Sequence, residues 1–183
     1  MMPELSLNIL DVAKNSVRAG ASLITISVRA DKAKDTLTIV ISDDGCGMTE
    51  EQVQRVTDPF FTTRSTRKVG LGVPFFKMAA ELTGGSFQIR SELGVGTSTE
   101  AVFGLSSIDR MPLGDFSGTI TTLIQASPEI DFLVEYAVDE NEFTLDTRQL
   151  REILGDVPLN EPEILQYIAG FLEENMSECG EQL

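Results

Sequence analysis

Ile41-Ser42-Asp43-Asp44-Gly45-Cys46-Gly47-Met48 is the stretch on which the reading of this 183-residue chain turns. Before it, Leu37–Ser42 alternates as a half-buried strand does, so Asp43 falls at a strand end. A carboxylate there is placed to accept a hydrogen bond from an exocyclic amine, which adenine presents and guanine does not at the same position. Gly45 and Gly47 remove side chains where a flat base must approach the backbone. Read alone, the same residues also describe a plain Asp-Gly turn between strands, and both readings stand at this point.

Working outward, residues 3–19 carry the three-and-four spacing of an amphipathic helix, with Leu10, Ala13 and Val17 on one face. Asn8, Asp11, Asn15 and Arg18 share another face, and Gly20 closes the helix as a left-handed cap. Asp11 and Asn15 lie one turn apart. An Asn carbonyl is a neutral hard oxygen suited to Mg²⁺ that phosphates already neutralise, and Arg18 is within reach of the phosphates themselves. The alternative for this face is a solvated polar stripe.

Leu23–Arg29 and Thr36–Ser42 read as two strands, and Thr49 with Gln52 reads as the capping box of a short helix. Thr57–Lys68 has no periodicity, holds Pro59 and gathers Arg64, Arg67 and Lys68 in five residues. Gly70-Leu71-Gly72 then opens a helix running to Leu82, whose free amides and positive dipole end make a natural phosphate site. Pro74 fits in its first turn. Phe87–Ser91 and Ser98–Leu105 read as two further strands around Gly94-Val95-Gly96, with the Thr97 hydroxyl near the base edge. The order predicts a mixed sheet covered on one face by helices.

The bulk numbers narrow the function. A hydrophobic content of 42% supplies a core. No apolar run reaches the ~18–20 residues that cross a bilayer, and the N-terminus lacks the pattern of a secretion signal, so the expectation is a cytoplasmic protein. Cys46 and Cys179 have no zinc or disulfide spacing. Histidine is absent, which removes a Ser-His-Asp triad and any phosphoacceptor histidine within the chain. Composition changes near Ser106. Residues 1–106 carry 12 acidic and 11 basic side chains, whereas residues 107–183 carry 17 and 3. So acidic a region repels nucleic-acid phosphates. It is expected to hold a helix (115–125), a strand pair (130–138 and 142–145) and two helices (147–154 and 161–175), extending the sheet or capping the first domain.

Taken together, four segments in this order resemble the GHKL ATP-binding superfamily of gyrase, heat-shock chaperones, histidine kinases and MutL repair proteins. Asp11–Ala21 is similar to its N box, Asp43–Met48 to its first glycine box, Asp58–Arg64 to its F box and Gly70–Val73 to its second glycine box. The Pro-Phe-Phe-Thr-Thr-Arg segment is closest to histidine kinase-like ATP-binding domains. The resemblance implies a two-layer Bergerat-type α/β sandwich over residues 1–106, with a small acidic α+β C-terminal extension over 107–183.

It further implies ATP and Mg²⁺ as cofactors. Asn15 would hold the metal and Asp43 the adenine amino group, with Thr97 helping through water. Gly45 and Gly47 would line the base, Arg18, Gly70 and Gly72 would meet the phosphates, and Met48, Arg64 and Leu71 would also belong to the nucleotide site. Phe60 would anchor a lid. Asp11 stands where gyrase-like members place a glutamate base, on a shorter side chain. Asp44 replaces the family's usual Asn. The expectation is that the dimerisation helices of kinases, with their phosphoacceptor histidine, are absent ahead of the N box. The expected role is a regulatory or signalling module that transfers phosphate to a separate protein partner. A non-catalytic ATP-responsive module and a slow ATPase remain as alternatives, and a homodimer is compatible with either.

Overall fold

The computed structural model describes residues 2–60, 71–180 and 182–183. Its elements are α1 (Leu5–Arg18), β1 (Leu23–Asp31), β2 (Thr36–Asp43), α2 (Glu50–Thr57), α3 (Gly72–Leu82), β3 (Ser86–Glu92) and β4 (Gly96–Gly104). They continue with α4 (Phe116–Ala126), β5 (Asp131–Val138), β6 (Asn141–Asp146), α5 (Thr147–Leu154) and α6 (Pro162–Cys179).

The strands form one sheet in the order β3-β4-β2-β1-β5-β6. Neighbours run antiparallel except β1 and β5, which run parallel. One register row crosses all six strands as Phe87, Ala101, Ile39, Val28, Tyr136 and Phe143. Because side chains alternate with period two, this row and its neighbours two residues away put every strand's apolar set on one face. Ile24, Ile26, Leu37, Ile41, Phe103, Phe132 and Val134 are accordingly buried beneath the helices. The opposite face carries polar residues, among them Arg29 paired with Glu135 and Glu142. The expected mixed sheet with a helical layer is the fold observed.

Residues beyond 106 join the same sheet. β5 lies beside β1 at its centre, and β6 forms the far edge. The predicted elements there all form. α6 runs four residues further than its apolar spacing first suggested, because Cys179 is buried below Leu172 before Gly180 ends the helix.

The same region also completes α1. Glu4 supplies no side-chain cap to that helix. Instead the amides of Leu5 and Ser6 donate to the carbonyls of Pro112 and Leu113, both at 2.9 Å. Ser6 Oγ adds a 2.6 Å bond to the Leu113 carbonyl, and Thr119 of α4 donates to the Ser6 carbonyl. The first free donors of the helix are thus satisfied from 107 residues away.

Candidate nucleotide site

α1 crosses the sheet with Leu5, Ile9, Val12 and Ser16 pointing down. That stripe is apolar except at Ser16, and a buried hydroxyl needs a partner. Ser16 Oγ donates to Asp43 Oδ2 at 2.6 Å, and the Gly45 amide donates to Asp43 Oδ1 at 2.9 Å. The carboxylate at the end of β2 is therefore oriented by one donor on each oxygen. Each oxygen keeps a further lone pair.

The chain after Asp43 is shaped by close approaches within the protein. Gly47 has φ of 70°, and a Cβ there would stand 2.0 Å from the Glu92 carbonyl oxygen. At Gly45 it would meet Ala19 Cβ at 2.8 Å. Only glycine fits either position. Ser91 laces this turn to the β3–β4 hairpin. It accepts from the Met48 amide at 2.8 Å and lies 2.8 Å from Thr97 Oγ1 and 3.1 Å from the Gly96 carbonyl.

Asp44 is turned away from the turn's interior. Its carboxylate accepts from Ser22 Oγ and from the amides of Ser22 at 2.8 Å and Leu23 at 3.0 Å. The Ser22 hydroxyl first, then the Leu23 amide, hold this carboxyl below its ordinary value. Both amides fall on Oδ1 and the hydroxyl on Oδ2, so an Asn here would keep the amides on its oxygen and turn its NH₂ to a hydroxyl able to accept, losing only the charge assistance.

Between α1 and the turn lies a cavity of about 120 Å³, walled by Val12, Val73 and Ile89 and rimmed by Asn15, Asp43 and Thr97. Gly47 and Met48 also line it. This is below the ~300–1,000 Å³ of clefts that enclose whole ligands, so it suits a flat heterocycle whose remainder lies outside. Asn15 Oδ1 accepts from Arg18 Nη1 at 2.9 Å, in an exposed pair.

Asp11 stands one turn back, beside the amino end of α3. A Cβ on Gly72 would lie 2.8 Å from Asp11 Cβ and 3.6 Å from Asp11 Oδ2. α3 is held there by Phe76, whose ring packs 5.8 Å from Phe103 and 6.2 Å from Phe87. Leu71 is the helix's N-cap residue and is partly exposed. α2 opens with the expected capping box of Thr49 and Gln52, and its Val56 reaches the cavity wall.

The structure thus gathers Asn15, Asp43, Gly47, Met48 and Thr97 around one cavity, with Gly45, Arg18, Asp11 and Gly72 next to it. Phe60 is 79% exposed, in a turn closed by its own amide donating to Asp58 Oδ1. Arg64 and Gly70 lie outside the described residues, as do Arg67 and Lys68. Ser16 and Ser91 are the site residues that sequence reasoning missed. Each is a hydroxyl at an inward-facing position of an otherwise apolar stripe, and that mismatch was the available signal.

Residues 3–107 match the family of histidine kinase-, DNA gyrase B- and HSP90-like ATPases. The chain belongs to that family. Within it, 107 residues are 32% identical to a sensor protein of Shewanella frigidimarina, covering 58% of this chain and 16% of that protein. Sensor protein SrrB of Staphylococcus aureus is 32% identical over 102 residues, covering 53% and 17%. The chain spans about a sixth of the length of these curated relatives. Among solved structures, the Aquifex aeolicus MutL ATPase domain complexed with ADP aligns at a TM-score of 0.53 and 14% identity, over 84% of this chain and 70% of that one. The N-terminal domain of a DNA repair protein aligns at 0.51 and 12%, over 79% and 53%. These two share the fold. Family membership makes the chain a histidine kinase-like ATP-binding module, and among its described residues no helix is long and apolar enough to cross a membrane.

Proposed function

We propose that this module binds ATP with Mg²⁺ and passes the γ-phosphate to a side chain of a separate protein. The observation that carries the reading is the placement of Asp11. It lies one helical turn from Asn15 and against the amino end of α3, where phosphates are drawn by free amides and the helix dipole. Adenine enters the small cavity with its amino group on Asp43, which Ser16 and Gly45 hold in position. The triphosphate then leads outward past Asn15 toward Gly72.

The donor set fits the metal. Among the described residues no three His, Cys, Asp or Glu side chains converge, and Mg²⁺ carried on phosphates needs only one or two protein oxygens. Asn15 Oδ1 is such an oxygen, at the cavity rim. When bound, Mg²⁺ offsets phosphate charge. Releasing Asn15 from Arg18 frees the guanidinium to pair with a phosphate, so one exchange serves both ligands. Asp11 is the group placed to take the proton of an attacking hydroxyl. Phosphoryl transfer depends more on positioning and charge than on a strong base, so the short side chain suffices. With no histidine in the chain, a histidine acceptor resides elsewhere.

The test is incubation of the protein with γ-labelled ATP, Mg²⁺ and a cell extract. Label appearing on one extract protein, lost in Asp11→Asn while the ATP-induced melting shift persists, supports the proposal. Phosphate release without transfer supports a slow ATPase. A melting shift with neither reaction supports an ATP-responsive binding module.

A further inference from the structure

A second cavity, of about 500 Å³, lies between the start of α4 and the end of α6, apart from the nucleotide site. Its volume is in the range of small-molecule clefts. Tyr136 stands in its wall. The residue is only 2% exposed, yet its hydroxyl makes no hydrogen bond to any described residue. Among the described residues the buried unpaired polar atoms are those of Asn8, so this is a phenol whose oxygen opens on the cavity. This one is prevented from turning away. Phe116 packs 6.1 Å from its ring and Phe143 packs 5.5 Å from it, fixing the ring's direction.

The rest of the lining has one electrostatic sign. Glu173 and Asp115 both border the cavity, and no described Lys or Arg does. Glu173 Oε1 accepts from Ser117 Oγ at 2.9 Å, and Asp115 caps α4 through the Gly118 amide at 3.0 Å. The positive end of α4 is thereby already answered. The opposite holds for α6, whose C-terminal turn also borders the cavity and contains no basic residue. A helix C-terminus carries negative partial charge that favours a cation. Leu113, Met176 and the Phe116 ring supply apolar wall beside the carboxylates. Carboxylate, aromatic face and phenol oxygen together are the chemistry that holds an ammonium group on an apolar body.

We infer that this cavity binds a cationic amine, with Glu173 pairing the charge and the Tyr136 hydroxyl accepting one of its hydrogens. The amine belongs either to a small organic cation or to a lysine side chain of a protein partner. The contact chemistry is the same for both.

An amide-resolved NMR titration of the full chain distinguishes them. Benzylamine, benzyl alcohol and the tripeptide Gly-Lys-Gly are each added, and the amides of Ser117, Gly118, Ser177 and Gly180 are followed. Saturable shifts with benzylamine are expected, weakened about tenfold in Glu173→Gln and about threefold in Tyr136→Phe. Tyr136→Phe removes only a hydroxyl that bonds to no described residue, so its melting temperature is expected to hold. Saturation by Gly-Lys-Gly but not benzylamine supports the inference with a partner's lysine as the source. Equal response to benzyl alcohol, unchanged amine affinity in either variant, or no response at these amides to either amine overturns it.

Discussion

Asp43→Asn separates a residue that holds the fold from one that reads the base. The Asn side chain has the same shape. Its oxygen keeps the Gly45 amide as donor, and its NH₂ turns to Ser16 Oγ, whose hydroxyl changes from donor to acceptor. Both bonds survive but lose charge assistance, which roughly halves each and costs about 1–2 kcal/mol in all. For a domain of this size that lowers the melting temperature by about 2–8 °C. The adenine amino group fares worse. An ionised acceptor is replaced by a group that turns hydrogens toward it, a loss of ~1.5–3 kcal/mol or about 10- to 100-fold in affinity.

Thermal melts with and without ATP-Mg²⁺ read both effects. At ATP about 100-fold above the wild-type Kd, the wild type gains ~2.7 kcal/mol, whereas a variant bound 100-fold more weakly gains about 0.4 kcal/mol. The ligand-induced shift falls from roughly 5–10 °C to about 1 °C. GTP is expected to leave the wild type unshifted. If Asp43→Asn keeps the full ATP shift, adenine does not meet this carboxylate and the account of the cavity is wrong.

Gly47→Ala forces a Cβ to within 2.0 Å of the Glu92 carbonyl at a left-handed φ, so a loss of about 3 kcal/mol or more is expected in urea unfolding. Asn8 is fully buried in α1 and both polar atoms of its amide lack partners among the described residues. Asn8→Leu is expected to raise stability by roughly 1–3 kcal/mol, and a lowered urea midpoint would count against that packing. Asp44 has an ordinary value of 3.8 that its donors depress in the folded state. Its contribution is therefore full above that value and lost as pH falls through the lower folded one. Acid titration of Asp44→Asn is expected to show a shallower decline there. Burial pushes the Tyr136 phenol from 10.0 up to about 12. The folded state keeps that proton while the unfolded chain releases it, so stability falls as pH rises from 10.0 toward 12. Tyr136→Phe should remove the latest tyrosinate absorbance step.

Local signals in the sequence carried most of the elements. The helix of Asn15, the strand ending at Asp43 and the capping box at Thr49 each depend on neighbours within a few residues, and each formed as expected. The Ser16–Asp43 bond was not legible, because it joins residues 27 apart and a serine in an apolar stripe names no partner. Ser91 was hidden in the same way. The partners of Asp44 were hidden too, because Ser22 and Leu23 stand 22 and 21 residues away in sequence. The strand Ile130–Val138 was legible as a strand, but its parallel pairing with β1 was not, since alternation sets which face is buried and leaves the neighbour open.

That parallel pairing, with the capping of α1 by Pro112 and Leu113, bears on how the protein can be divided. A fragment ending at residue 106 retains all four boxes of the nucleotide site. It also leaves β1 as an edge strand whose Ile24–Val28 backbone has lost its β5 partner, and strips the leading amides of α1 of their acceptors. An open apolar edge recruits other chains. Such a fragment is expected to self-associate, so the acidic region serves as the built-in guard of the edge that β1 would otherwise expose.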